Sequence, residues 1–173
     1  TYLLAWTTTP WTLMSNLALA INPRVKYVTI NVAGETLILA EDCLSVLTDE
    51  NCSITKVQEG KDLVGMEYLP LFRLPNVEYT KDCWKVYAAD FVTVEDGTGI
   101  VHMAPAFGAD DSTLGTKLGL PLVNPILANG HFSEETPLVS GVWFKDADKI
   151  IIRDLKEKGL LYKRVDYTHN YPH

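Results

Sequence analysis

The sequence predicts a mainly β chain with a few peripheral helices (α+β), built on a closed or nearly closed β-barrel core. Short apolar, β-branched segments recur between turn residues along most of the chain, whereas helical periodicity surfaces in only a few places. Strands and helices also fail to alternate regularly, which disfavours a doubly wound parallel sheet.

Taken in order, residues 2–9 read as a strand that Pro10 breaks, because proline cannot donate to a ladder. Residues 17–21 are a second apolar run, ended by Asn22-Pro23. Residues 27–32 and 35–40 flank Ala33-Gly34, a hairpin signal. Residues 41–48 suit a short helix. Residues 53–58, 86–94 and 98–103 supply further strands, with Asp96-Gly97 as a tight turn before the last. Residues 110–118 read as a helix that follows Gly108 and is punctuated by Gly115 and Gly119. The clearest helix spans 146–158, with Ile150, Ile151 and Leu155 on one stripe and Gly159 as its stop. The proline-rich span 69–76 and the loop 124–137 read as surface excursions, and no internal repeat is present.

A chain of 173 residues suits one domain, and an apolar share of 47% is enough for a core. No apolar run approaches the roughly 18 residues needed to span a bilayer, so no membrane association is expected. The chain opens without Met or a basic leader and is expected to be a piece of a larger protein. Cys43, Cys52 and Cys83 stand at unrelated spacings without a Cys-x-x-Cys pair, which predicts reduced, partly buried thiols and a cytoplasmic setting. A net charge of −7 argues against a broad nucleic-acid groove, since phosphates need clustered cations. Residues 145–164 nonetheless hold seven basic and four acidic side chains, a local +3 that leaves −10 for the remainder. That helix face reads first as solvated, with a glancing RNA-backbone contact as the alternative.

Phosphate-loop, zinc-helix and serine-elbow motifs are all missing. His102, His131, His169 and His173 lack metal-ligand company, and Pro172 argues against one helical face presenting the last two, so no metal site is expected. Thr7, Thr8, Thr9 and Thr12 crowd one short segment. They either pair blandly within a sheet or offer hydroxyls, each a donor and an acceptor, at a strand end. Trp11 is either a pocket wall or a core residue. His102 sits among apolar neighbours, as a buried core histidine would, yet Gly97 and Gly99 allow close backbone approach there, as at a binding site. Of Asp110 and Asp111, one is expected to cap the following helix and the other to meet a ligand cation; spacing does not say which.

The strings Trp6-Thr7-Thr8-Thr9-Pro10-Trp11-Thr12-Leu13-Met14-Ser15-Asn16 and Gly97-Thr98-Gly99-Ile100-Val101-His102-Met103-Ala104-Pro105-Ala106-Phe107-Gly108-Ala109-Asp110-Asp111 resemble the editing (CP1) domain of isoleucyl-tRNA synthetase. The run Lys145-Asp146-Ala147-Asp148-Lys149 and the closing His169-Asn170-Tyr171-Pro172-His173 fit the same family, so the resemblance covers essentially the whole chain. The valyl and leucyl relatives carry a Thr-Thr-Arg-Pro core and lack the histidine of the second block. Met14 stands where this family usually has proline and reads as a packing residue. The ligase signatures His-Ile-Gly-His and Lys-Met-Ser-Lys-Ser are absent, so this piece is not expected to charge tRNA.

The resemblance implies a single editing domain over residues 1–173, a β-barrel of the valyl, isoleucyl and leucyl synthetase type inserted into a Rossmann-type catalytic domain. It implies a deacylase that clears valine from isoleucine tRNA, with the valine-bearing 3′ end of that tRNA and the parent catalytic domain as partners. Valyl-adenylate is a second candidate substrate, and no cofactor is implied. Asp111 would hold the substrate's α-ammonium. His102 would limit side-chain size and orient the terminal ribose. Thr7, Thr8, Thr9 and Thr12 would line the pocket and place the attacking water, with Trp11, Asn16 and Gly99 contributing to substrate binding. The free hydroxyl of the terminal adenosine would assist. Proton transfer by His102 stays open. The competing readings are a non-catalytic module for the tRNA acceptor end, or an editing domain for another amino acid.

Overall fold

The computed structural model describes residues 1–48 and 51–165. His169, His173 and the closing string that contains them lie outside the described residues. The described residues form seven strands: β1 (Tyr2–Leu3), β2 (Ala18–Ile21), β3 (Lys26–Val32), β4 (Glu35–Ala40), β5 (Cys52–Glu59), β6 (Lys85–Ala88) and β7 (Ile100–Met103). Two α-helices follow them, α1 (Ala109–Leu118) and α2 (Phe144–Glu157). Short 3-10 helices occupy Pro10–Ser15, Glu41–Val46 and Gly60–Asp62. No described helix is long and apolar enough to cross a membrane.

Among the described residues the strands do not close into one continuous ladder. They form a four-stranded sheet in the order β1-β4-β3-β5 and a three-stranded sheet in the order β6-β2-β7. Two isolated bridges flank the smaller sheet, Trp6 to Val101 beside β7 and Glu67 to Lys85 beside β6. The β3–β4 hairpin turns on Ala33 (φ 50°) and Gly34 (φ 87°), two positive angles that match the twist of the strands.

β2 divides the interior. Leu19 and Ile21 pack with Tyr27, Val28, Leu39 and Ile100 on the side of the larger sheet. Ala18 and Ala20 belong to a second cluster with Leu17, Met14, Met103, Phe132 and Ile151. A strand covered on both faces needs an unbroken apolar run, which is what residues 17–21 provide. Each large aliphatic side chain buried there contributes about 1.5–3 kcal/mol. Ala147, Ile151 and Leu155 recur every four residues and form the buried stripe of α2. Asp148 on that helix accepts the Trp11 backbone N–H at 2.8 Å and ties α2 to the Pro10–Ser15 helix.

Four expectations need correction. The strand foreseen over residues 2–9 ends at Leu3: beyond it Trp6 makes an isolated bridge, Thr7 and Thr9 bond each other, and Pro10 opens a 3-10 helix. The strand foreseen over 86–94 ends at Ala88, level with the end of its partner β2 at Ile21, and a turn follows in which the Val92 N–H reaches the Ala89 carbonyl at 3.4 Å. The loop 124–137 is not a simple surface excursion, since Phe132 is 1% exposed and anchors the α2 cluster. Neither aspartate caps α1: the helix starts at Ala109 with Gly108 as its cap residue, so both fall inside the first turn. Negative charge is favourable there too, because the N-terminal end of the helix dipole is positive.

Candidate active site

Pro10 bends the chain immediately after Thr9, and the threonine hydroxyls turn to one another instead of to a sheet. Thr7 Oγ1 accepts the Thr9 N–H at 3.1 Å and lies 3.4 Å from Thr9 Oγ1. Thr9 Oγ1 lies 3.2 Å from Thr12 Oγ1, and Thr12 Oγ1 donates to the Thr9 carbonyl at 2.8 Å. Thr8 is exposed.

β7 brings His102 to this cluster. Thr12 and His102 are 90 residues apart in sequence, yet Thr12 Oγ1 sits 2.8 Å from His102 Nε2. Asn16 Nδ2 lies 2.8 Å from His102 Nδ1 and donates to the Ala18 carbonyl at 3.0 Å. The amide nitrogen can only donate, so Nδ1 accepts and the ring proton sits on Nε2, directed at Thr12. Both imidazole nitrogens are therefore engaged within the protein.

Burial pulls the His102 pKa down from its ordinary 6.5 to about 4. The native ring stays neutral in a range where the unfolded ring takes up a proton. The stability this residue contributes is complete above about pH 6.5 and is lost as pH falls through about 4, at up to about 1.4 kcal/mol per pH unit. The denaturation midpoint should therefore drop more steeply between pH 6 and 4 in the wild type than in His102→Gln. Equal slopes would contradict the neutral, buried ring.

Two glycines place the walls. Gly97 has φ 74°, and a Cβ there would occupy the Trp6 indole. Gly99 has φ 76°, a Cβ there would stand 2.5 Å from the Ala40 Cβ, and its carbonyl accepts the Tyr27 hydroxyl at 2.6 Å. Positive φ and steric overlap with β4 combine at Gly99. Gly99→Ala should cost about 3 kcal/mol or more, read as a lower denaturant midpoint.

Asp111 comes from the first turn of α1. Its Oδ2 accepts the Ala104 N–H at 2.9 Å. Burial raises its carboxyl pKa; the Ala104 bond opposes that shift and neighbouring Asp110 adds to it.

These groups meet in a cleft of about 200 Å³ lined by Trp6, Thr7, Thr8, Thr9, Thr12, Val101, His102, Ala104, Phe107 and Asp111. That is below the usual size of a drug-like ligand pocket and suits a small head group. The structure thus places the four threonines, His102 and Asp111 together. Trp11, Asn16 and Gly99 lie outside this lining. Trp11 packs edge-on to Phe107 at 4.9 Å and to Phe144 at 5.1 Å, and borders a second, more apolar hollow. Asn16 stands behind His102, and Gly99 holds β7 against β4. Sequence reasoning did not single out Trp6 and Phe107 as walls, although both fall within the two motif strings. It missed Tyr68 entirely: its hydroxyl donates to Asn16 Oδ1 at 2.5 Å, and it sits in a stretch with no motif. Among the described residues, no group of three or more His, Cys, Asp or Glu side chains could hold a metal ion.

No family model matches the chain. An isoleucine–tRNA ligase of Clostridium acetobutylicum is 49% identical over 172 residues, 99% of this chain but 16% of that relative's length. Among solved structures, GlLeuRS-CP1 superposes with a TM-score of 0.72 at 17% identity, over 95% of this chain and 85% of its own. The P.falciparum cytosolic leucyl-tRNA synthetase editing domain gives a TM-score of 0.63 at 13% identity, over 90% and 76% respectively. At such identities the likeness shows a common fold. Near-complete coverage at 49% identity shows descent, and the chain belongs to the isoleucyl-tRNA synthetase family, with the editing-domain fold.

Proposed function

We propose that this chain hydrolyses the ester of valine misattached to isoleucine tRNA and rejects the isoleucyl ester by size. The observation that supports the reading is the cleft itself, where a carboxylate, a string of hydroxyls and a neutral imidazole share one small hollow. An aminoacyl ester carries a protonated amine, and a carboxylate holds it with a charge-assisted bond that also orients the carbonyl. Asp111 has acceptor capacity left beyond its Ala104 bond and serves as that anchor.

The ester is already activated, so hydrolysis needs a placed water and relief of charge on the developing oxyanion, without a covalent enzyme intermediate. Thr7, Thr8, Thr9 and Thr12 hold the water. With both nitrogens engaged, His102 acts as a wall and not as a proton carrier, and the terminal adenosine's free hydroxyl assists. Asn16 and Trp11 act indirectly, through His102 and Phe107. Valyl-adenylate presents the same ammonium and side chain and is a second substrate of the cleft. The two sheets are read as one barrel interrupted at its seams, set into the catalytic domain of the parent synthetase and reached by the acceptor end of its tRNA.

The size rule has a plain energetic basis. The isoleucine–valine pair in this synthetase is the standard illustration that one methylene is worth only about 1–3 kcal/mol in an apolar pocket, too little for accurate charging. A second site that admits only the smaller residue supplies the remainder. The test compares valyl, threonyl and isoleucyl esters of isoleucine tRNA on the full-length synthetase. Preferred hydrolysis of the valyl ester is expected. Binding without turnover would instead favour an acceptor-end module, and a threonyl preference would assign a different target.

A further inference from the structure

Tyr68 stands outside the cleft, in the segment that leads from β5 to β6, with its backbone N–H on the Trp84 carbonyl at 3.0 Å. Its phenol begins a directed chain of hydrogen bonds that ends at the threonines. The hydroxyl donates to Asn16 Oδ1 at 2.5 Å, which leaves the Asn16 nitrogen for the Ala18 carbonyl and His102 Nδ1. His102 then carries its proton on Nε2 and donates to Thr12 Oγ1 at 2.8 Å, while the Thr12 proton goes to the Thr9 carbonyl at 2.8 Å. Every donor in this series has one matching acceptor, and Asn16 and His102 are 7% and 9% exposed. Water therefore has little room to substitute for a lost member, and a buried polar group left without its partner disturbs its neighbours.

We infer that Tyr68 is a positioning residue for the size sieve: by fixing the Asn16 amide, it sets the tautomer and the plane of the His102 imidazole that walls the cleft. The inference rests on the deacylase reading above. It adds a residue that touches neither substrate nor cleft. Without the phenol oxygen, Asn16 Oδ1 has no donor, the amide tilts, and the imidazole loses its fixed Nδ1 partner. A wall free to rotate admits a larger side chain.

The experiment has two arms. In this chain labelled with 15N-histidine, the wild-type His102 signal, identified by its loss in His102→Gln, should show a proton on Nε2 alone. Tyr68→Phe should show an exchanging mixture of tautomers. A wild-type ring protonated on Nδ1 overturns the inference without reference to any variant, so misfolding of Tyr68→Phe does not protect it. In the full-length synthetase, Tyr68→Phe should raise the ratio of isoleucyl to valyl ester hydrolysis by about tenfold, within the range one methylene can discriminate. A merely structural residue would lower both rates together and leave the tautomer unchanged, and that result also overturns the inference. If the wild-type synthetase hydrolyses neither ester while Tyr68→Phe still shifts the tautomer, the deacylase reading fails and the link from Tyr68 to His102 stands.

Discussion

Replacing Asp111 with alanine should lower valyl-tRNA deacylation by about a hundredfold or more, the scale of loss when a reacting group is no longer held in place. The substitution removes the anionic partner expected for the ammonium and also orphans the Ala104 N–H. Asp111→Asn separates the two effects. Its amide oxygen can still accept from Ala104, so the fold should be kept, while the charge that grips the ammonium is gone. Deacylation by Asp111→Asn should therefore fall nearly as far as in the alanine variant, with a denaturation midpoint close to wild type. Normal hydrolysis by either variant, measured in the full-length synthetase, would remove Asp111 from the mechanism. Its pH profile carries a second signature. Burial raises the Asp111 carboxyl pKa, so the acid limb of deacylation should begin at a higher pH than an exposed aspartate would give. The sign for stability is opposite to that of His102: a raised carboxyl favours the native state below its unfolded pKa and loses that advantage as pH rises through the native one.

His102→Ala should have the second large effect, the loss of protection for isoleucyl-tRNA. The imidazole is a rigid wall because both nitrogens are bonded and the ring is buried. Truncation opens space for the extra methylene. Overpacking a tight site typically costs about 1–3 kcal/mol, and that penalty disappears with the ring. The ratio of isoleucyl to valyl hydrolysis should then approach unity. The same change leaves Asn16 Nδ2 with one acceptor fewer and should lower stability by about 1–3 kcal/mol. A ratio of rates is insensitive to the folded fraction, which is why it is the proper measurement. Full protection of the isoleucyl ester in His102→Ala would place the sieve elsewhere.

Much of this architecture could be read locally. The β3–β4 hairpin, the apolar run of β2 and the buried stripe of α2 each follow from periodicity and turn chemistry within a dozen residues. Strand ends were less legible. Residues 4–9 and 89–94 have strand-like composition, but hydroxyl contacts among Thr7, Thr9 and Thr12 and the turn from Ala89 to Val92 take the chain off the ladders there. Phe132 was hidden for the same reason, as an aromatic in a loop reveals nothing of the helix it will pack against.

Side-chain chemistry and short-range pattern thus named the reactive groups: clustered threonines, a lone histidine among apolar neighbours and a pair of aspartates. Their resemblance to one family completed that list without the coordinates. Spacing left Asp110 and Asp111 equivalent and the resemblance pointed to Asp111, but only packing could turn the threonines out of a sheet and into a cleft, and put Asn16 behind the imidazole instead of beside the substrate. The reason is distance along the chain. A tautomer, a buried wall and a shared hollow are properties of groups as far apart in sequence as Trp6 and Asp111, and their geometry is set by non-local contacts that no window of sequence contains.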